Sequence, residues 1–163
     1  MGVRKAKLKD AETIVKINVR TWKESYKGYF DDSILDGIQV SEDRISHVQR
    51  RIQDPNYTVL VYEDKDVLGF MIAGAARVER RIKNELYAIY IQPDVQHKGI
   101  GTKLLSKYKQ IMKGKSFYLY TLKNNPKSRS FYEKNGGVMY EEFNRSYDFY
   151  GQTVEEVCYV FEL

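Results

Sequence analysis

Seven residues, Gln96-His97-Lys98-Gly99-Ile100-Gly101-Thr102, have the types and spacing to do chemistry. They follow an apolar strand-like run and open an amphipathic helical stretch. A helix start leaves its first N–H groups unpaired and gathers the positive end of the peptide dipoles, so it favours an anion. Glycine at 99 and 101 lets the main chain approach phosphate oxygens without an intervening Cβ, and Lys98 or Lys103 could add charge at the rim. A pyrophosphate fits there. A tight turn that merely needs glycine fits the same spacing, because Gly-x-Gly alone is a weak signal. Two better-known phosphate loops are excluded. A dinucleotide fingerprint needs a third small residue where Leu104 stands, and Gly114-Lys115-Ser116 lacks the earlier glycine of a Walker loop, whose position is Lys109.

Other reactive side chains point elsewhere. The single Cys158 lies in an alternating apolar stretch, which reads as a buried strand in a reduced, cytoplasmic protein rather than as a nucleophile. His97 reads as a solvent-facing loop residue. His47 sits on a helical stretch with no Cys, His or carboxylate at ligand spacing, so no metal is expected. The net charge of +5 points to anionic partners. The basic residues are dispersed, without the charge block of a nucleic-acid-binding tail, and no run nears the ~20 apolar residues of a membrane helix, so neither nucleic acid nor membrane is an expected partner. The first residues carry no apolar leader and no myristoylation signal.

The elements that must position the glycine loop can be read from periodicity. Val3–Leu8 reads as a strand, with Asp10 as the cap of a helix from Ala11 that carries Ile14, Ile17 and Trp22. A second helix starts near Ser41 and carries Ile45, Val48 and Ile52. Strands are expected at Tyr57–Tyr62, Val67–Val78 and Glu85–Ile91, followed by the helix from Gly99 with Leu104, Leu105 and Tyr108 on its inner face. Ser116–Leu122 is a further strand, Asn125-Pro126 starts a helix to about Asn135, and Val138–Tyr147 and Thr153–Leu163 complete the chain. With 163 residues, one domain over 1–163 is expected, a mixed α/β layer with at least one parallel strand pair.

At this point the chain resembles the GCN5-related N-acetyltransferase (GNAT) superfamily, through Gln96, Gly99 and Gly101 at a strand-to-helix junction. A second segment agrees: Asn125 is followed seven residues on by Tyr132, in a Phe131-Tyr132-Glu133-Lys134 run ending at Asn135-Gly136. The resemblance implies a mixed, mainly antiparallel twisted sheet of about seven strands with about four helices, splayed at a parallel pair. It implies acetyl-coenzyme A as cosubstrate. Main-chain groups of Ile89, Tyr90 and Ile91 would meet the pantetheine arm, residues Gln96, His97, Lys98, Gly99, Ile100, Gly101 and Thr102 the pyrophosphate, and Asn125 the cofactor as well. Tyr132 would protonate the departing thiolate and Glu85 would serve as general base, the bland readings being a core aromatic and an exposed carboxylate. Many relatives have Gly-Phe after this run, where Gly136-Gly137-Val138 stands here.

The resemblance implies a primary amine as acceptor, of a small molecule such as a polyamine or of a protein. Asp31, Asp32, Asp36, Glu42 and Asp43 hint at a cationic acceptor, and a solvated acidic loop explains them equally well. Tyr29 and Phe30 are candidates for lining the acceptor pocket, though aromatics at this spacing also build cores. A catalytically silent acyl-coenzyme A-binding module is the alternative from another class. By resemblance a homodimer is expected, with the apolar C-terminal strand available to join a neighbour's sheet.

Overall fold

The computed structural model describes residues 1–163. After β1 (Gly2–Lys5) and a 3-10 turn at Leu8–Asp10 come α1 (Ala11–Ser25), α2 (Asp32–Asp36) and α3 (Glu42–Gln53). The middle of the chain is β2 (Thr58–Asp64), β3 (Asp66–Ala75) and β4 (Asn84–Ile91), then a 3-10 turn at Pro93–Val95, α4 (Ile100–Met112) and β5 (Phe117–Leu122). It closes with α5 (Pro126–Lys134), β6 (Val138–Met139), a 3-10 turn at Glu141–Phe143, β7 (Arg145–Phe149) and β8 (Gln152–Phe161). All eight strands form one sheet in the order β1-β2-β3-β4-β5-β8-β6, with β7 paired to β8. Every pairing is antiparallel except β4 with β5.

The architecture expected from the sequence is present, with eight strands and five α-helices in place of about seven and about four. Each difference has a local cause. The stretch expected as one strand over Val138–Tyr147 breaks at Glu141–Phe143, where adjacent Glu141 and Glu142 interrupt the alternation. The five-residue α2 is too short to show a helical period. β1 stops at Lys5 because the Lys7 N–H donates to the Asp10 carboxylate at 2.7 Å and closes a turn. Asp10 therefore caps that turn rather than α1. Most of the C-terminal strand is already paired within the chain, since β8 binds β5 over Glu156–Phe161 on one side and β6 and β7 on the other, which leaves little edge to offer a neighbour.

The sheet divides the apolar interior in two. On one face α4 lays Leu104, Leu105 and Tyr108 against Leu60, Met71, Leu86 and Phe117. On the other, Ile14 and Ile17 of α1 and Val48 of α3 cover Val61, Phe70 and Ile72. Cys158 lies in a smaller cluster with Tyr118 and Val160, and burial pushes its thiol up to about 12, so it is no nucleophile.

The first strand is fastened by charge. The Arg4 guanidinium donates to Asp10 at 2.7 and 3.1 Å and to Glu63 at 2.7 and 2.9 Å, tying β1, the first turn and β2 together. Burial alone would raise the Asp10 carboxyl, but the hydrogen bonds from Arg4 and the Lys7 N–H outweigh it and hold the group below its ordinary value. A depressed folded pKa contributes stability that is complete above the unfolded value of about 3.9 and lost as pH falls through the folded one. Asp10→Asn is expected to cost about 1–3 kcal/mol at pH 7 in urea unfolding. The gap between wild type and variant should hold steady near neutrality and narrow below about pH 4.

Candidate active site and cofactor cleft

The parallel strands β4 and β5 share one register pair, Glu85 with Tyr118. Beyond it they part. β4 stays bound to β3, with a bulge that leaves Tyr87 without an opposite residue between the Ile72–Ala88 and Ala73–Leu86 pairs. β5 stays bound to β8 in unbroken register from Phe117 to Leu122. The facing edges of Ile89–Ile91 and of the second half of β5 are thus not paired with each other, and a gap in the sheet opens toward the start of α4. The Ile91 carbonyl on this edge accepts from Gln96 Nε2 at 3.2 Å, so Gln96 ties the loop back to the strand.

At the mouth of the gap the chain turns into α4. The first backbone bond of the helix runs from the Lys103 N–H to the Gly99 carbonyl at 3.0 Å, which leaves the N–H groups of Ile100, Gly101 and Thr102 without an intrahelical acceptor. His97 and Gly99 both adopt left-handed backbone, with φ of 63° and 77°. Such a conformation is unfavourable for histidine, and strain held in a loop with unpaired donors is common where an anion is bound. The two glycines do different work. A Cβ on Gly99 would meet nothing within 4 Å, so the space in front of it is open, whereas one on Gly101 would stand 3.0 Å from the Phe131 ring. Gly101 therefore lets α4 and α5 approach closely. Lys98 and Thr102 are exposed at the rim, and Ile100 is buried beneath it.

α5 brings in the other two residues. Asn125 caps the helix, its side-chain oxygen accepting the Ser128 N–H at 3.2 Å, with Pro126 in the first turn. That leaves its amide NH2 free. Tyr132 is buried, with Phe131 and Tyr159 as ring neighbours. Burial, with a smaller contribution from Tyr90, raises its phenol well above its ordinary value. It is a proton donor at neutral pH.

Glu85 is neither exposed nor free. At 1 % exposure it accepts from the Arg77 guanidinium at 2.5 Å, the Arg77 main-chain N–H at 3.0 Å and the Tyr118 hydroxyl at 3.2 Å. It stands at the closed end of the gap, at the one point where β4 and β5 meet. Four residues of strand separate it from Ile89, roughly 13 Å at the usual rise.

The sheet face toward α1 carries an aromatic cluster above the open end. Trp22 stacks on Phe30 at 5.4 Å and meets the edge of Tyr26 at 4.6 Å, and Phe149 of β7 closes on Phe30 at 5.4 Å. Phe30, 5 % exposed, is thus part of the packing, while half-buried Tyr29 is held by its carbonyl to Gln152. Burial raises the Tyr90 phenol, opposed by hydrogen bonding to Tyr26 and Trp22. Glu156 of β8 lies on this face at the open end, bonded by Arg145 at 3.0 Å and Tyr147 at 2.6 Å.

The sequence comparisons bear on this geometry directly. A family model described as Acetyltransferase (GNAT) family matches residues 13–137, which include the gap, the loop and α5. The chain belongs to the GNAT acetyltransferase family. It is similar to the spermidine N(1)-acetyltransferase of Thermoplasma acidophilum, 30% identical over 146 residues that cover 82% of this chain and 86% of that protein. It is likewise 30% identical to the uncharacterised N-acetyltransferase YuaI of Bacillus subtilis over 137 residues, 80% of this chain and 76% of the other. Among solved structures, the Brucella melitensis ribosomal-protein-alanine N-acetyltransferase has a TM-score of 0.78 at 19% identity and full coverage of both chains. The Thermoplasma acidophilum PaiA N-acetyltransferase, solved with coenzyme A, has a TM-score of 0.72 at 24% identity, covering 95% of this chain and 96% of that one. These establish the GNAT fold.

Several features of this GNAT site escape a reading of the chain alone. The partners of Glu85 lie eight and 33 residues away along the chain, on a loop and on β5, and no spacing rule connects them. Tyr26, Tyr90 and Glu156 come from the end of α1, from β4 and from β8, and no spacing rule connects them. No grouping of three His, Cys, Asp or Glu side chains could hold a metal ion, and no helix is long and apolar enough to cross a membrane. The acidic residues do not converge. Asp43 faces one cleft and Glu42 another, while Asp31, Asp32 and Asp36 are exposed around α2.

Gly99→Glu places a carboxylate in the open space before the unpaired N–H groups and forces a side chain onto a left-handed residue. Calorimetric titration with acetyl-coenzyme A should show affinity reduced by about tenfold or more, equivalent to about 1.4 kcal/mol. The far-ultraviolet circular dichroism should remain that of the wild type.

Proposed function

We propose that this GNAT enzyme transfers the acetyl group of acetyl-coenzyme A to a primary amine of a small molecule by direct attack within a ternary complex. The observation that carries the reading is the single register pair between β4 and β5. The gap beyond it offers main-chain groups of Ile89 and Ile91 to a pantetheine arm, those of Tyr90 being turned to Phe70 of β3, and it ends at the unpaired N–H groups of Ile100, Gly101 and Thr102, where a pyrophosphate is favoured. Gly99, with nothing in front of it, and Lys98 at the rim suit the same group. Asn125 has an amide NH2 to spare for the cofactor. The similarity to a spermidine N(1)-acetyltransferase supports an amine acceptor.

Acetyl-coenzyme A supplies an acyl group activated as a thioester. The protein does the rest by position and charge. A main-chain N–H near Ile89 is a fixed donor for the oxygen charge that develops during acyl transfer. Holding the amine and the acyl carbon together removes much of the entropic barrier. The amine attacks as its free base, its ammonium proton having gone to solvent. As the C–S bond breaks, Tyr132, kept protonated by burial, donates its proton to the departing sulfur, and the proton released by the acylated nitrogen restores the phenol. Glu85, first considered as the base, acts instead as the clasp of the strand junction, because both of its oxygens are already engaged by Arg77 and Tyr118.

Tyr132→Phe keeps the ring packing and removes the donor, so kcat should fall about 10²–10⁴-fold, with little change in the KM for acetyl-coenzyme A. Glu85→Gln separates clasp from base. A clasp predicts a melting temperature lower by several degrees, for a loss of about 1–3 kcal/mol, and a pH–rate profile of wild-type shape. A base predicts an unchanged melting temperature and loss of the acidic limb of the profile.

A further inference from the structure

Between α1 and α3, over the sheet, lies a cleft of about 480 Å³ lined by Arg44, His47, Arg50 and Arg51, with Asp43 as its one carboxylate. Of the ten arginines in the chain, Arg4, Arg20, Arg77, Arg81 and Arg145 each hold a carboxylate. Three of the remaining five line this one cleft, and none of the three is ion-paired, Asp43 notwithstanding. Three guanidinium groups against one carboxylate leave the cleft with an excess of positive charge, so it is stabilised by a further anion that the chain itself does not supply.

Two further observations agree. The Arg51 guanidinium lies 5.4 Å from the ring centroids of both Tyr57 and Tyr87, which hold it in place, and its Nε is buried with no hydrogen-bond partner. A rigid, partly unsatisfied guanidinium is suited to the planar or tetrahedral oxygens of a carboxylate or phosphate. The His47 imidazole is held below its ordinary pKa by burial and by the charges of Arg51 and Arg50, as expected in a positive field. The floor of the cleft includes Ala88 of β4, the residue before Ile89, so the cleft adjoins the strand that borders the proposed acetyl site.

Resting on the acetyltransferase reading above, we infer that this cleft binds an anionic group, a carboxylate or a phosphate, carried by the acceptor, and that the substrate is an amine of mixed charge. A purely cationic polyamine would bring positive charge to three unpaired guanidinium groups. The acceptor class therefore differs from that named for the Thermoplasma acidophilum relative, despite 30% identity.

The chain provides its own reporters, because its only two histidines are His47 in this cleft and His97 in the glycine loop. The imidazole resonances of labelled protein should be followed while coenzyme A is added to saturation, and then 4-aminobutanoate, O-phosphoethanolamine or 1,4-diaminobutane. Coenzyme A should move His97 and leave His47 in place. At least one of the two anionic amines should then move His47 saturably, and which one does so identifies the group as carboxylate or phosphate, while the diamine leaves it unmoved. In the exposed-site variant Arg50→Gln, and in Arg44→Gln should that variant fold poorly, the dissociation constant for that amine should rise about tenfold or more with the His97 response intact. The inference is overturned if the diamine moves His47 as strongly as the anionic amines, if neither anionic amine moves it at millimolar concentration, or if the variants bind as wild type. A silent His97 on addition of coenzyme A would instead remove the cofactor reading, an outcome separate from the response of His47.

Discussion

Two parallel strands that touch at a single register pair must leave the rest of their facing N–H and C=O groups without each other. Buried main-chain groups seldom go unpaired. β4 and β5 are kept apart because each is committed elsewhere, β4 to β3 through a bulged ladder and β5 to β8 without interruption. Glu85, Arg77 and Tyr118 fasten the one point of contact. The result is a cleft with main-chain donors and acceptors already oriented, open to a ligand that can run along it as a strand would. The cost of orientation is met on folding rather than on binding.

The rest of the site follows from where that gap leads. It opens onto the start of α4, whose unpaired N–H groups favour an anion, and there His97 and Gly99 take up left-handed backbone. Gly101 lets Phe131 of α5 press against α4, and that contact brings the next residue, Tyr132, to the buried side of its helix. The gap, the start of α4 and α5 with Tyr132 thus follow one another along the fold, as the proposed cofactor site requires. The proposed acceptor side draws on other elements, α1 and α3 over the sheet.

The proposed cofactor half was nameable in the sequence because its residues are local. Gln96, Gly99 and Gly101 lie within one loop, and Asn125 and Tyr132 at one short helix, so a family resemblance carried by two short segments could point to them where the glycine spacing alone left a plain turn open. The helix and strand order was legible for the same reason, apart from the five-residue α2 and the broken stretch at Glu141–Phe143. Glu85 shows the limit. Its position on β4 was correct, but its ion pair with Arg77 depends on a loop returning across eight residues, and its bond to Tyr118 on a pairing between distant strands. The arginine cleft was invisible for a similar reason: Arg44, His47 and Arg51 are ordinary polar positions of an amphipathic helix until α1 is laid beside them.

Amide hydrogen exchange measured residue by residue, with and without saturating acetyl-coenzyme A, tests the central claim most directly, because it reads the main-chain donors themselves. The splayed cleft predicts added protection confined to the amides of Ile89 and Ile91 and to those from His97 to Thr102, with Tyr90, already bonded to β3, and Glu85 and Tyr118 at the closed end changing little. Protection spread evenly over the sheet, or absent from both segments while the cofactor is bound, would contradict it.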